Sequence, residues 1–253
     1  MTTIDLNADL GEGFGSYRLG DDAALLDLVT SASVACGFHA GDPMTMRATV
    51  VAAAARDVAI GAHPGYPDLL GFGRRELAAT PGEIRAYVVY QVGALAGVCR
   101  ATGARLRFVK PHGALYNRAA TDVAAAAAVV EAIGSVDPDL VVLGLAGSVL
   151  IDAARAAGLA SAAEAFADRA YTAAGTLVPR SEPGAVLTDA DAVVARALRM
   201  VREGRVRAAD GADTAIQADS LCVHGDTPGA LALVRALRSR LVAEGIALAA
   251  FAG

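Results

Sequence analysis

Leu106-Arg107-Phe108-Val109-Lys110-Pro111-His112-Gly113 reads as a short strand that ends on a lysine, stops at a proline, and turns through His-Gly into the next segment. An apolar run bounded by proline and glycine is a strand signal. Chemically active side chains placed just past its end are typical of parallel α/β folds, where strand ends leading into helices share one rim. Three further segments repeat the pattern: Val34-Ala35-Cys36-Gly37-Phe38-His39, Ile60-Gly61-Ala62-His63-Pro64-Gly65 and Cys222-Val223-His224-Gly225-Asp226. Together the four segments hold all four histidines of the chain.

Outward from these segments, strand-like runs alternate with helical ones. The strand candidates are Thr3–Ala8, Ser33–Cys36, Val58–Ala62, Leu106–Lys110, Leu140–Leu145, Ala162–Ala167, Ser220–Val223 and Ile246–Phe251. Helix starts are marked by Asp42-Pro43 and Thr227-Pro228, a capping side chain before proline, and by the capping box Thr80-Pro81-Gly82-Glu83. The helix after that box carries Ile84, Tyr87, Val88, Gln91, Val92, Leu95, Val98 and Cys99 on one face, with Gln91 the polar exception. Repeated strand–helix alternation over residues 1–253 predicts one catalytic α/β domain, a (β/α) barrel of seven or eight units, regular or irregular, closed or incompletely closed. An open doubly wound sheet is the alternative. Two long connections, His63–Thr80 and Asp168–Asp189, read as loops over a site.

Composition narrows the function. The net charge of −5 argues against nucleic acid or an anionic membrane as partner. The longest uncharged stretches fall short of the ~18 apolar residues of a membrane span. The first residues lack a signal peptide's basic start, and three cysteines form no CxxC pair, so a cytoplasmic location is expected. Of 22 basic residues, 21 are arginine and one is Lys110, which suggests a specific use for a compact ammonium group.

The rim then supplies the candidates. Single histidines are often structural, but four in equivalent places make His39, His63, His112 and His224 catalytic candidates together with Lys110. Alternation in Ile4-Asp5-Leu6-Asn7-Ala8-Asp9 puts Asp5, Asn7 and Asp9 on one face, and inward carboxylates are costly unless paired or used. Asp9 is a catalytic candidate, Asn7 and Glu12 candidates for binding substrate, and Asp5 lies deeper. The sixth strand aligns Glu164, Phe166 and Asp168, with Glu164 the catalytic candidate. Asp168 and Arg169 read either as substrate-binding residues or as a local ion pair. Asp9, His39 and His63 would suit a divalent transition metal, although no HExxH spacing supports one. Gly11-Glu12-Gly13-Phe14-Gly15 fails the dinucleotide pattern at Ser16, and no Walker A motif exists.

These segments resemble the LamB/YcsF family. The resemblance rests on Asp5–Glu12, Ala35–Asp42, Gly61–Asp68, Gly71–Arg75, Val109–Asn117, Glu164–Tyr171 and Cys222–Asp226, in the family's order. It implies a 5-oxoprolinase component that opens the lactam of 5-oxo-L-proline to L-glutamate with ATP as co-substrate, assembled with partner subunits B and C. It also implies a fold similar to barrel deacetylases, whose rim carries an Asp–His–His metal site. Arg74, Arg75 and Arg169 are then expected to hold phosphate or the substrate carboxylate. Two rival classes remain open: a metal-dependent amidase or carbohydrate deacetylase without ATP, and a non-catalytic metabolite-binding subunit.

Overall fold

The computed structural model describes residues 2–223 and 229–252. In chain order the first half runs β1 Thr3–Leu10, α1 Asp22–Leu26, β2 Ser31–Ala35, α2 Pro43–Ala54, β3 Ala59–His63, α3 Pro81–Thr102, β4 Leu106–Val109, α4 Gly113–Ala119 and α5 Val123–Val136. The second half runs β5 Val141–Leu145, α6 Val149–Ala156, β6 Ser161–Phe166, α7 Ala190–Glu203, β7 Arg205–Arg207, β8 Asp213–Ala215, β9 Ser220–Cys222, α8 Ala230–Ala243 and β10 Ala247–Leu248.

Strands β1 to β6 pair in sequence order, and β9 joins β6 to β1, all parallel, which closes a seven-stranded barrel. Of the seven or eight units expected, seven form the ring, and the candidate strand Ile246–Phe251 supplies only β10. β10 is two residues long and pairs only with Thr3 and Ile4, at the start of β1, because β9 already holds the place beside the rest of that strand. The short β7–β8 hairpin is antiparallel and lies apart from the barrel sheet. It went unread in the sequence, being three residues per strand with no apolar run.

Alternation decides what faces where. Ile4, Leu6, Ala8 and Leu10 join the large apolar layer between strands and helices, while the opposite face of β1 turns Asp5, Asn7 and Asp9 into the barrel. A separate apolar cluster of Phe108, Leu143, Ala162 and Ala252 plugs the interior below them. The Phe108 ring lies over Gly61, where a Cβ would sit 2.1 Å from it, so glycine there makes room for the plug. The two sides of the sheet therefore differ: apolar against the helices, polar inside toward the strands' C-terminal ends.

The helix starts follow the sequence where it can be checked. Asp42 accepts hydrogen bonds from the backbone of Met44 and Thr45, and Thr80 and Glu83 form the reciprocal capping box of α3. Thr227-Pro228 lies outside the described residues. No single helix among the described residues is long and apolar enough to cross a membrane.

Candidate functional site

The rim positions converge. Asp9 is the next-to-last residue of β1, Glu12 follows that strand, His39 lies beyond β2, His63 ends β3, Lys110 and His112 follow β4, and Glu164 comes from β6. Each is less than about a tenth exposed, so their charges interact through protein rather than water. Lys110 Nζ lies 2.6 Å from Asp9 Oδ1 and 3.0 Å from Glu164 Oε1, and donates to Asn7 Oδ1 at 3.1 Å. Burial by itself would push this ammonium down, but the carboxylates of Asp9 and Glu164 hold it well above the ordinary lysine range. Lys110 is thus a fixed cation and not a proton acceptor. Tyr116, which the sequence reading missed, donates to Glu164 Oε2 at 2.8 Å.

The imidazoles occupy the other side of Asp9. His63 Nε2 lies 3.3 Å from Asp9 Oδ2 and 3.0 Å from His112 Nδ1. The rings of His39 and His112 stack with centroids 3.7 Å apart. Burial, reinforced by neighbouring imidazoles, holds His39 and His112 well below the ordinary histidine value. His224 lies outside the described residues.

A metal fits the donor set found here, though not the set read from sequence. One ligand atom each from Glu12, His39, His63 and His112 lies within 4.8 Å of the others. Both ring nitrogens of His39 are buried with no hydrogen-bond partner among the described residues, Nε2 lying 3.7 Å from Glu12 Oε1, a costly state unless something else binds there. In place of Asp9–His39–His63, the cluster takes in Glu12 and His112, while Asp9 is drawn to Lys110. Donor atoms around a tetrahedral ion lie roughly 3.4 Å apart, so the four side chains would draw closer together to hold one.

Beside the cluster opens a cavity of about 310 Å³ lined by Asp9, His63, Lys110 and His112 on its floor and by Arg74, Arg169 and Arg180 among its walls. Arg169 is buried; its Nε and Nη2 donate to the Ala185 and Val178 carbonyls. Burial and the charges of Arg180 and Arg74 lower its pKa to about 10. Arg180 was not singled out from sequence, since an arginine in a Pro/Gly-rich loop has no distinguishing spacing.

Besides Glu12, which belongs to the histidine cluster, three candidates read as substrate-binding sit outside the cavity lining. Asn7 is fully buried and turned into the barrel, where Nδ2 donates to Glu164 and Ser220. Arg75 pairs with Asp68 on the outside, its side chain 64% exposed. Asp168 is buried at the end of β6 beside Arg169 and does not line the cavity. The cysteines are poor nucleophiles. Burial pushes the Cys36 thiol up to about 12 and that of Cys222 well above its ordinary value.

The model of the LamB/YcsF family matches residues 4–253. A Bordetella pertussis protein, named as the A subunit of 5-oxoprolinase, is 59% identical over 247 residues, covering 98% of each chain. The crystal structure of a lactam utilization protein from Thermus thermophilus superposes with a TM-score of 0.93 at 48% identity, over 98% of this chain and 100% of that one. A family 4 carbohydrate esterase from Streptomyces lividans, 11% identical, matches with a TM-score of 0.51 over 98% and 91% of the two chains, a likeness of fold.

Proposed function

This chain belongs to the LamB/YcsF family, and from that premise we propose that it is the A subunit of a cytoplasmic, ATP-dependent 5-oxoprolinase, working with subunits B and C. Residues 1–253 act as one catalytic domain that opens the lactam of 5-oxo-L-proline. The observation that carries this reading is a fixed, buried ammonium, Lys110, on the floor of a small cavity with three arginines in its walls. Such a cavity suits a small anionic ring whose reacting carbonyl gathers negative charge.

A lactam is a weak electrophile, and ATP makes it a stronger one. Transfer of the γ-phosphoryl group to the amide oxygen primes that carbon for addition of water. Cleavage of the C–N bond, with a proton delivered to nitrogen, leaves an acyl phosphate. A second water hydrolyses it to glutamate and phosphate. Lys110 stabilises the oxyanion formed when the hydroxyl of the first adduct is deprotonated and again when the second water adds to the acyl phosphate carbonyl, and Asp9 with His63 takes the proton from water. Arg74, Arg169 and Arg180 hold the substrate carboxylate or the phosphoryl group by charge-assisted hydrogen bonds.

The Glu12–His39–His63–His112 cluster supports a second reading, a metal-assisted amidase that works without ATP. A divalent ion held there would polarise the lactam carbonyl or acidify a water, with Glu12 and the three imidazoles as its ligands. The deciding experiment is glutamate release from 5-oxoproline, measured for this chain alone and with subunits B and C, with and without ATP and a chelator. Release that needs ATP and the partners supports the first reading. Chelator-sensitive release without ATP replaces it with the second, and no release in any mixture removes both.

A further inference from the structure

A line of hydrogen bonds runs inside the barrel, from below the site up to Lys110. Thr30 Oγ1 and Ser31 Oγ each donate to Asp5 Oδ1 at 2.6 Å, and the Ser220 hydroxyl donates to Asp5 Oδ2. With its proton directed at Asp5, Ser220 Oγ can only accept from Asn7 Nδ2, at 2.7 Å. The same amide nitrogen donates to Glu164 Oε1 at 2.9 Å. That leaves Asn7 Oδ1 facing Lys110 Nζ. Reversed, the amide would set an NH2 against an ammonium and a carbonyl oxygen against a carboxylate. Lys110 has three N–H donors, and Asp9, Glu164 and Asn7 supply three acceptors within 3.1 Å.

We infer that Asp5 and Ser220 are positioning residues, which act through Asn7 to fix where the Lys110 ammonium points. Asn7 is the last member of this relay and touches Lys110 itself. All four side chains are buried to within 1% exposure, so water does not replace a lost partner and the polarity of one bond sets that of the next.

An isosteric change tests the direction of the relay. In Asp5→Asn, the amide oxygen takes the place of Oδ1, which accepts from Thr30 and Ser31. The NH2 then points at Ser220, whose proton loses its acceptor on residue 5 and turns toward Asn7, which favours the Asn7 amide that presents its own NH2 to Lys110. Because Lys110 is the single lysine, protein labelled with 15N-lysine gives one side-chain ammonium signal. In Asp5→Asn that signal should shift and its hydrogens should exchange with solvent at least tenfold faster. Ser220→Ala, which leaves Asn7 held by Glu164 and Lys110, should change it less. Asn7→Leu, which removes the acceptor, should reproduce the Asp5→Asn effect in a protein whose relay is otherwise intact.

The kinetic consequence rests on the proposed 5-oxoprolinase reading. With subunits B and C and ATP, Asp5→Asn should lower kcat about tenfold with KM unchanged, because Lys110 acts on charge that develops only during reaction. The ammonium signal needs no activity, so inactive wild-type protein would remove the functional reading and leave this inference standing. An unchanged signal and exchange rate in folded Asp5→Asn, or in Asn7→Leu where Asp5→Asn does not fold, overturns it.

Discussion

His63 Nε2 and His112 Nδ1 face one another at 3.0 Å, while the opposite nitrogen of each ring is held by a backbone carbonyl: His63 Nδ1 by Lys110 at 2.7 Å, His112 Nε2 by Phe72 at 2.8 Å. A carbonyl only accepts, so both outer nitrogens carry hydrogen. In neutral rings the two inner nitrogens are then bare lone pairs pointed at each other. The contact calls for one positive species, a proton or a metal ion, and the nitrogens of His39 beside it, which make no hydrogen bond among the described residues, favour the ion. A divalent transition ion at a hundred times its Kd should stabilise the protein by about 2.7 kcal/mol, raising the melting temperature by about 5–10 °C. His39→Ala should abolish the rise. Melting curves that ignore the ion, with no metal retained on dialysis, would leave the proton as the occupant.

Lys110 balances two buried carboxylates, so removing it is a folding experiment as well as a kinetic one. Lys110→Ala leaves Asp9 and Glu164 without their cation and should cost about 3–5 kcal/mol of stability. Adding Glu164→Gln should recover part of that loss, since the two sites are in contact and their effects do not add. Activity should stay at least ~100-fold low in both proteins. Urea denaturation of the single and double variants checks the first part. Equal stability of Lys110→Ala and wild type would mean that the carboxylates are protonated instead of paired.

The depressed histidines set a pH dependence. His39 and His112 resist protonation in the fold, chiefly through burial and then through neighbouring imidazoles. Below the ordinary histidine value near 6.5, the unfolded chain takes up protons at these rings that the folded chain does not. Their contribution to stability is therefore complete above about pH 6.5 and falls as the pH drops toward their lowered values. Metal-free protein should unfold at lower urea at pH 5.5 than at pH 7.5, and His39→Ala should flatten the difference. A midpoint that does not move over this interval would place these rings in water.

The barrel and most of its rim could be read from sequence because both follow from period-two alternation and from where strands stop. Asp5, Asn7 and Asp9 had to share a face, and that face proved to be the inside. Which rim residue meets which depends on strand order and stagger, and the sequence is silent on both. Asn7 thus appeared available to substrate when it is turned downward to Ser220. Tyr116 and Ser220 had no signal of their own, since a tyrosine on an apolar helix face and a serine at a strand start are ordinary. Composition alone could not choose between seven and eight units: Ile246–Phe251 has strand composition but yields only the two-residue β10, because the ring leaves it no free edge.

Arg180 and Arg75 should separate in assay. Arg180 lines the cavity and Arg75 is paired with Asp68 on the outer surface. A charge-assisted hydrogen bond contributes about 1.5–3 kcal/mol, so Arg180→Ala should raise KM for 5-oxoproline roughly 10- to 100-fold with kcat little changed. Arg75→Ala should stay within about twofold of wild type on both. The reverse ranking in steady-state kinetics would move the anion site out of the cavity.

Gln91, the one polar residue on the apolar face of α3, holds the turn that follows His63. Its Oε1 accepts from Gly65 N at 3.0 Å, and its Nε2 donates to the Gly65 carbonyl at 2.8 Å and the Tyr87 carbonyl at 2.9 Å. The turn has nowhere to relax, because a Cβ on Gly65 would come within 2.9 Å of His39 Nδ1. Gln91→Leu has a similar volume but strands a buried N–H and a buried C=O, which should cost about 1–3 kcal/mol each. Since Gly65 packs on His39, the same change should weaken divalent-ion binding, although Gln91 is not in the four-residue ligand cluster. Gln91→Glu, when ionised, sets a buried charge against the Gly65 and Tyr87 carbonyls and should cost at least as much as Gln91→Leu. Metal titration and melting of the three proteins together would decide it. A Gln91→Leu variant that loses stability but binds the ion as wild type does would confine Gln91 to the fold and detach it from the site.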